Sequence, residues 1–264
     1  MAKSNTKKFL TVVVIIVFLL LAASIGYRIY LHNKYVVPII MYHSIDNPHH
    51  FSGIVVSPDH FRKQIKYLKK HRYNVISLDR LVTAIKEKKS LPKNSVVITF
   101  DDGYEDNYTN AFSILKEYNF PATIFVIVNL VGHEGYVTWE QLREMGKYGI
   151  TTGSHTLDHV HLPGVPLEWQ SHQIKDSKKI IEEKLGHKID YLAYPSGGFS
   201  DGTKDIVEEA GYKGACTTNR GNKRFNEDVY ELKRIRFKDK DTGLVMWMKL
   251  SGYYNLFRVL KEPN

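Results

Sequence analysis

SVVITFDDGY, residues 95–104, sets a run of apolar and β-branched residues directly before two aspartates and a glycine. Such a run fits a strand buried on both faces, and Asp-Asp-Gly fits the turn that leaves it. The same plan recurs on either side. Strands are read at VVPIIMYH (36–43), NVISL (74–78), SVVITFD (95–101), PATIFVIV (121–128), GITTGSH (149–155), DYLAYP (190–195) and GACTT (214–218). Between them, Phe61/Ile65/Leu68, Leu78/Leu81/Val82/Ile85, Leu142/Met145 and Ile174/Ile181/Leu185 fall at helical spacing. Asp59, Asp79 and Ser200 stand where helix N-caps are expected. About seven strands alternating with helices, and no glycine-rich dinucleotide loop, predict an α/β chain folded as a distorted, closed or nearly closed (β/α) barrel.

Farther out, FLTVVVIIVFLLLAASI (9–25) carries no charge and approaches the ~20 apolar residues that span a bilayer as a helix. Ala22-Ala23-Ser24 leaves a signal-peptide cleavage as the alternative. Lys3, Lys7 and Lys8 precede the run, whereas only Arg28 and Lys34 follow closely, which predicts a cytoplasmic N-terminus. The expected organisation is a cytoplasmic segment 1–8, a single-pass transmembrane signal anchor 9–31 and an extracytoplasmic domain 32–264, secreted if the anchor is cleaved. At the other end, LVMWMKLSGYYNLF (244–257) reads as a packed helix, or as a membrane- or glycan-facing patch.

Composition narrows the function classes. With 264 residues, 43% hydrophobic and 25% charged, the chain suffices for one large globular domain. The net charge of +9 raises the question of an anionic partner. The lysines and arginines are nevertheless scattered among acids with no nucleic-acid motif, so nucleic acid is not an expected partner. Cys216 is the single cysteine, which excludes an intramolecular disulfide and leaves it a small core residue. Oligomeric state is not legible.

In a β/α barrel the chemistry gathers at the carboxyl ends of the strands. Those ends present Tyr42-His43, Asp101-Asp102-Gly103, Ser154-His155 and Tyr194-Pro195-Ser196-Gly197. His155 and His159 form H-x-x-x-H, a spacing that brings two imidazoles to one side of a helical turn. Among twelve histidines such a pair is weak by itself. Two histidines plus one carboxylate, however, complete an open metal site, and adjacent aspartates at a strand end point different ways, so one can ligate while the other stays free as a base. His161, two residues past His159, faces elsewhere.

TFDDGY (99–104) and SHTLDH (154–159), in this order and spacing, closely resemble the first two motifs of the polysaccharide deacetylases, carbohydrate esterase family four, or the NodB-homology domain. The resemblance covers roughly residues 36 to 237. It implies that Asp102, His155 and His159 hold a divalent metal, zinc first among the candidates, and that Asp101 is the general base that activates the attacking water. The family's third motif carries an arginine that is missing here, where Ala193-Tyr194-Pro195-Ser196-Gly197 stands. That form, with MYHSI near the start, resembles the exported deacetylases of poly-N-acetylglucosamine, in which a first-strand histidine takes the acid role. His43 is then the candidate acid, with a core histidine as the alternative reading. Tyr194, Pro195 and Ser196 would flank the substrate, with a backbone N–H near Ser196 as oxyanion donor. Arg234 in ELKRIRF is read either as the replacement for the motif arginine beside Asp101 or as a surface residue. Tyr104 and Trp139 are placed along the sugar groove, with core packing as the alternative for Trp139.

The implied function is metal-dependent removal of N-acetyl groups from N-acetylglucosamine residues of an extracellular polysaccharide, poly-N-acetylglucosamine first. The alternatives are a peptidoglycan deacetylase, an O-acetyl esterase and a non-catalytic glycan-binding protein.

Overall fold

The computed structural model describes residues 12–26, 36–47, 53–221, 225–254 and 258–263, in two compact units, Met1–Tyr35 and Val36–Asn264. In the first, residues 12–26 are helical. Among the described residues no helix is long and apolar enough to cross a membrane. The expected span 9–31 has both its ends outside the described residues, as does the whole segment 1–8.

Among the described residues the second unit holds a sheet of nine strands, all paired in parallel. They are β1 (Ile39–Tyr42), β2 (Asn74–Val75), β3 (Ser95–Phe100), β4 (Ala122–Val126), β5 (Ile150–Ser154), β6 (Tyr191–Ala193), β7 (Gly214–Thr217), β8 (Leu232–Lys233) and β9 (Ile235–Arg236). The order is β8-β7-β6-β5-β4-β3-β1-β9, with β2 beside β3. All seven expected strands are present. The two additional ones are halves of a single segment with only Arg234 between them, one half paired to β7 and the other to β1. That segment closes the ring of strands.

Alternation along each strand sorts the side chains between two cores. Ile40 and Tyr42 of β1, Val96, Ile98 and Phe100 of β3, and Ile124 and Val126 of β4 join Phe61, Ile65 and Leu68 of α1 (Pro58–Lys70). Ile39, Val97, Phe125, Tyr191, Ala193, Cys216 and Leu232 form the other core, with Leu78, Leu81 and Val82 of α2 (Leu78–Lys86). Met41 and His43 follow Ile39 at the strand period, and Thr99 and Asp101 follow Val97. This face therefore turns from apolar to chemical as each strand reaches its carboxyl end. Cys216 is fully buried, and burial pushes its thiol up to about 12, as suits an inert core residue.

A π-helical turn (Asn107–Phe112) runs into α3 (Ser113–Tyr118), followed by α4 (Trp139–Gly146), α5 (Leu167–Leu185), α6 (Asp201–Glu209) and α7 (Gly243–Leu250). The N-caps of α1 and α2 are Ser57 and Ser77, whose hydroxyls accept from the His60 and Arg80 N–H groups. Asp59 and Asp79 sit instead in the first turns, where a carboxylate complements the helix dipole without capping it. Ser200 caps α6 as expected, reciprocally with Thr203. The C-terminal helix is shorter than the 244–257 reading. It ends at Leu250, burying Met246 and Leu250 but leaving Leu244 69% and Trp247 57% exposed; residues 255–257 lie outside the described residues.

Candidate active site

The carboxyl ends of the strands surround a cavity of about 610 Å³ whose wall includes Met41, His43, Asp101, Asp102, His155 and His159. Asp101 leaves β3 on the inner face, its N–H donating to the Tyr42 carbonyl at 3.0 Å. The Arg234 guanidinium, 1% exposed, grips it through both carboxylate oxygens at 2.6 and 2.7 Å. The same guanidinium donates to Thr99 Oγ1 at 3.2 Å and to the Thr217 carbonyl at 3.0 Å. Burial by itself would raise the Asp101 carboxyl; the Arg234 charge and, after it, His155 hold it at about 2. Asp101 is thus an ionised, oriented carboxylate in a low-dielectric wall.

Asp102 turns the opposite way. Its φ of 71° lies in the left-handed region, followed by Gly103 at 75°, a strained corner of the kind found at functional sites. Its Oδ1 sits 3.5 Å from His155 Nε2 and 3.6 Å from His159 Nε2, and one ligand atom from each of the three lies within 4.8 Å of the others. His155 Nδ1 donates to the Ala193 carbonyl at 2.6 Å, which fixes the tautomer and aims the Nε2 lone pair at the cluster. Two imidazole nitrogens and one carboxylate oxygen, with an open side on the cavity, fit a divalent cation.

The histidine pair does not stand on a helical turn, as the spacing had suggested. Residues 155–161 form an irregular loop in which Thr156 and His159 take positive φ of 68° and 57°. The His159 N–H donates to Thr156 Oγ1 at 3.1 Å, and the two rings meet at 4.8 Å and 74°. His161 takes no part in the cluster; its ring packs where a Cβ on Gly198 would stand.

His43 lines the cavity with its Nδ1 buried and without a hydrogen-bond partner. Its carbonyl accepts from Asn107 Nδ2 at 2.7 Å. Asp106 ties the following loop, accepting from Ser44 Oγ at 2.6 Å and the Ile45 N–H at 2.8 Å. Burial lowers the His43 pKa, opposed by Asp101 and Asp102 and reinforced by Arg236 and Arg234.

The turn after β6 brings Ser196 to the cavity with φ 55°. Its internal bonds run from Gly197 and Gly198 N–H to the Tyr194 and Pro195 carbonyls, so the Ser196 N–H is left out of them. Tyr194 borders the cavity with its side chain buried. Its ring stacks on Phe199 at 5.0 Å and its hydroxyl donates to the Tyr230 carbonyl. Pro195 is buried and outside the cavity wall; Tyr104, half-buried, is also outside it and stacks on Tyr136 at 5.4 Å. Burial and the nearby Asp102 charge raise the Tyr104 hydroxyl. Trp139 packs on the outer core.

Five further cations line the cavity: Arg220, Arg236, Lys238, Arg258 and Lys261. Arg234, Arg236 and Lys238 alternate along the closing segment, a period-two signal present in LKRIRFK. Arg258 and Lys261 belong to a strap, residues 258–263, laid over the end of β7. Lys261 N–H donates to the Asn219 carbonyl, Gly221 N–H to the Lys261 carbonyl and Phe199 N–H to the Pro263 carbonyl. Nothing periodic marks that strap in the sequence.

Fold and rim together define a barrel hydrolase. Residues 88–215 match the family described as polysaccharide deacetylase, and the chain belongs to the polysaccharide deacetylase family. It is 34% identical over 207 residues to YxkH of Bacillus subtilis, a protein named after the same family, covering 78% of this chain and 73% of that one. It is 31% identical over 198 residues to a poly-β-1,6-N-acetyl-D-glucosamine N-deacetylase of Staphylococcus aureus, covering 70% and 68%. The Streptococcus pyogenes deacetylase PplD, solved in complex with acetate, superposes with a TM-score of 0.76 at 31% identity, over 81% of this chain and 98% of that one.

Proposed function

We propose that the chain hydrolyses the acetamide of N-acetylglucosamine residues in an extracellular polysaccharide, releasing acetate and leaving a free amine on the polymer. Poly-N-acetylglucosamine is the first candidate because of the Staphylococcus aureus relative, and acetate, bound in the Streptococcus pyogenes relative, is the product this reaction releases. Asp102, His155 and His159 would hold the metal, zinc being the divalent ion that two imidazoles and a carboxylate suit best. Such a cation, when bound, acidifies a coordinated water and polarises a carbonyl.

The rest is the work of this chain's own residues. Asp101 takes the proton of the attacking water. A carboxylate held near 2 is a weak base, so Arg234 contributes orientation and a permanently ionised acceptor rather than basicity. The Ser196 N–H would donate to the oxygen that gains negative charge, a reading supported by the position of Ser196 on the cavity wall. His43, its Nδ1 unengaged, protonates the departing nitrogen, without which amide cleavage would expel a very poor leaving group. Attachment to the outer face of a membrane through residues 9–31 belongs to the same reading, supported by the uncharged run and the lysines before it.

The observation that carries the proposal is the pairing, on one rim, of an arginine-locked carboxylate with a separate two-histidine, one-aspartate cluster. Acetate release from N-acetylglucosamine oligomers by the zinc-loaded protein tests it. Asp101→Asn is expected to lower kcat by about 10²–10⁴-fold, the usual worth of a general base, with zinc content unchanged. Undiminished release would refute the assignment.

A further inference from the structure

The geometry points to Gln173 as a positioning residue for the candidate metal ligand His159, acting through Asp158. The inference rests on reading Asp102, His155 and His159 as metal ligands, and it adds a side chain that belongs neither to that cluster nor to the cavity wall.

The three ligands are not held alike. His155 leaves β5 with its N–H on the Val126 carbonyl at 2.8 Å and its ring on the Ala193 carbonyl. His159 stands farther out on the irregular loop, its side chain 36% exposed against 2% for His155. Thr156 and His159 both take positive φ, a conformation that costs about 1–3 kcal/mol and persists only where the surroundings impose it. Released from it, His159 would swing its imidazole away from Asp102.

The stretch between those two residues is gripped from both sides. On one side lies the turn after β4, Val128–Leu130. Its Val128 and Asn129 N–H groups donate to the Thr156 and Leu157 carbonyls, both at 3.1 Å, and Asn129 Nδ2 donates to Asp158 Oδ1 at 2.6 Å. On the other side lies α5, whose Gln173 takes residue 158 by both polar ends of its amide. Gln173 Oε1 accepts from the Asp158 N–H at 3.0 Å, and Gln173 Nε2 donates to Asp158 Oδ2 at 2.7 Å. Main chain and side chain are thus fixed together, one residue before His159.

Gln173 is 0% exposed and shares the buried face of α5 with Ile174 and Ile181, where an apolar side chain is the ordinary occupant. An amide sunk there costs about 1–3 kcal/mol unless it is bonded, and both of its ends go to Asp158. Asp158 itself is exposed, so without Gln173 its carboxylate turns to water. What the clamp supplies is the placement of His159 more than the stability of the barrel.

The test titrates zinc into the full-length protein against a chelating indicator, records the visible absorption of the cobalt form, and follows urea unfolding in EDTA. Gln173→Met keeps the length of the side chain and removes both bonds. It is expected to weaken zinc binding by about 10–100-fold, the usual effect of losing a group that orients a ligand, and to change the cobalt spectrum, with the unfolding midpoint in EDTA close to the parent's. Asp158→Ala, at the exposed end of the clamp, is expected to weaken zinc binding without disturbing the core, and it carries the test should Gln173→Met fail to fold. Asp158→Asn still accepts from Gln173 and is expected to keep zinc affinity near the parent's. A loss as large as that of Asp158→Ala would make the carboxylate's charge the cause and overturn the inference. So would an unaltered zinc affinity and cobalt spectrum in Gln173→Met, or a loss there that Asp158→Ala does not share. Acetate release separates the inference from the proposed reaction. A parent whose zinc affinity depends on Gln173 but which releases no acetate would sink the deacetylase reading and keep this one; acetate release with zinc affinity indifferent to Gln173 would do the reverse, and a parent that takes up no zinc would sink both.

Discussion

Replacing Arg234 with methionine removes the guanidinium that holds Asp101 by two short bonds inside the barrel wall while keeping a side chain of similar reach. Taking one partner from a buried pair leaves the other charge uncompensated, at a cost of about 3–5 kcal/mol, a large part of the ~5–15 kcal/mol that a domain commands. The pH dependence carries a sign that a simple packing defect lacks. In the parent, Asp101 titrates at about 2, below its unfolded value of ~3.9. It therefore contributes about 2–3 kcal/mol that is present above pH ~4 and lost as pH falls toward 2. In the variant, burial is unopposed by Arg234 and Asp101 rises above its unfolded value. It is then destabilising at neutral pH, and that penalty fades on acidification toward pH ~4. Urea unfolding of both proteins in EDTA at pH 7, 6 and 5 is expected to show a gap that narrows with acid. A gap below about 1 kcal/mol, or one independent of pH, would refute an ionised Asp101 dependent on Arg234.

His155→Ala removes a cluster nitrogen, and zinc should then no longer raise the melting temperature, as differential scanning fluorimetry would show; an unaltered zinc response would place the ion elsewhere. His43→Gln is expected to cost about 10²–10⁴-fold in kcat with little change in KM or zinc content, so equal turnover in acetate-release assays would return His43 to a structural role. Gly153→Ala would set a Cβ 2.5 Å from the Phe125 ring and 2.9 Å from the Tyr191 carbonyl. Overpacking of that kind should destabilise by about 1–3 kcal/mol in urea unfolding, and a neutral effect would mean that β4 and β5 part freely.

The strands were legible because a parallel strand covered on both faces writes itself as an apolar run, as in Val96–Phe100. The closing segment was not, because its fully buried members include Lys233 and Arg234, whose burial depends on Glu231 and Asp101. The pairing of Arg234 with Asp101 spans 133 residues and leaves no local trace. Asp102, His155 and His159, singled out through the family resemblance, do lie together, yet the two histidines stand on a loop and not on the helical turn their spacing suggested; positive φ at Asp102, Thr156 and His159 is a tertiary constraint. The capping error has a readable source, since Ser-Pro-Asp and Ser-Leu-Asp each offer a serine one step before the helix, at Ser57 and Ser77. Tyr194 shows the limit of motif transfer. The motif places its backbone at the rim, while its ring belongs to the interior.

Because Leu232–Arg236 is the last strand of the ring and also bears the partner of Asp101, 133 residues upstream, completing the fold and arming the site are one event. A chain emerging amino-terminus first holds the aspartates and both cluster histidines long before that strand is made, but leaves Asp101 without its guanidinium and the strand ring ajar. Long sequence separation slows such a closure, so a nascent or truncated chain lacks the guanidinium that does most to keep Asp101 ionised and in place.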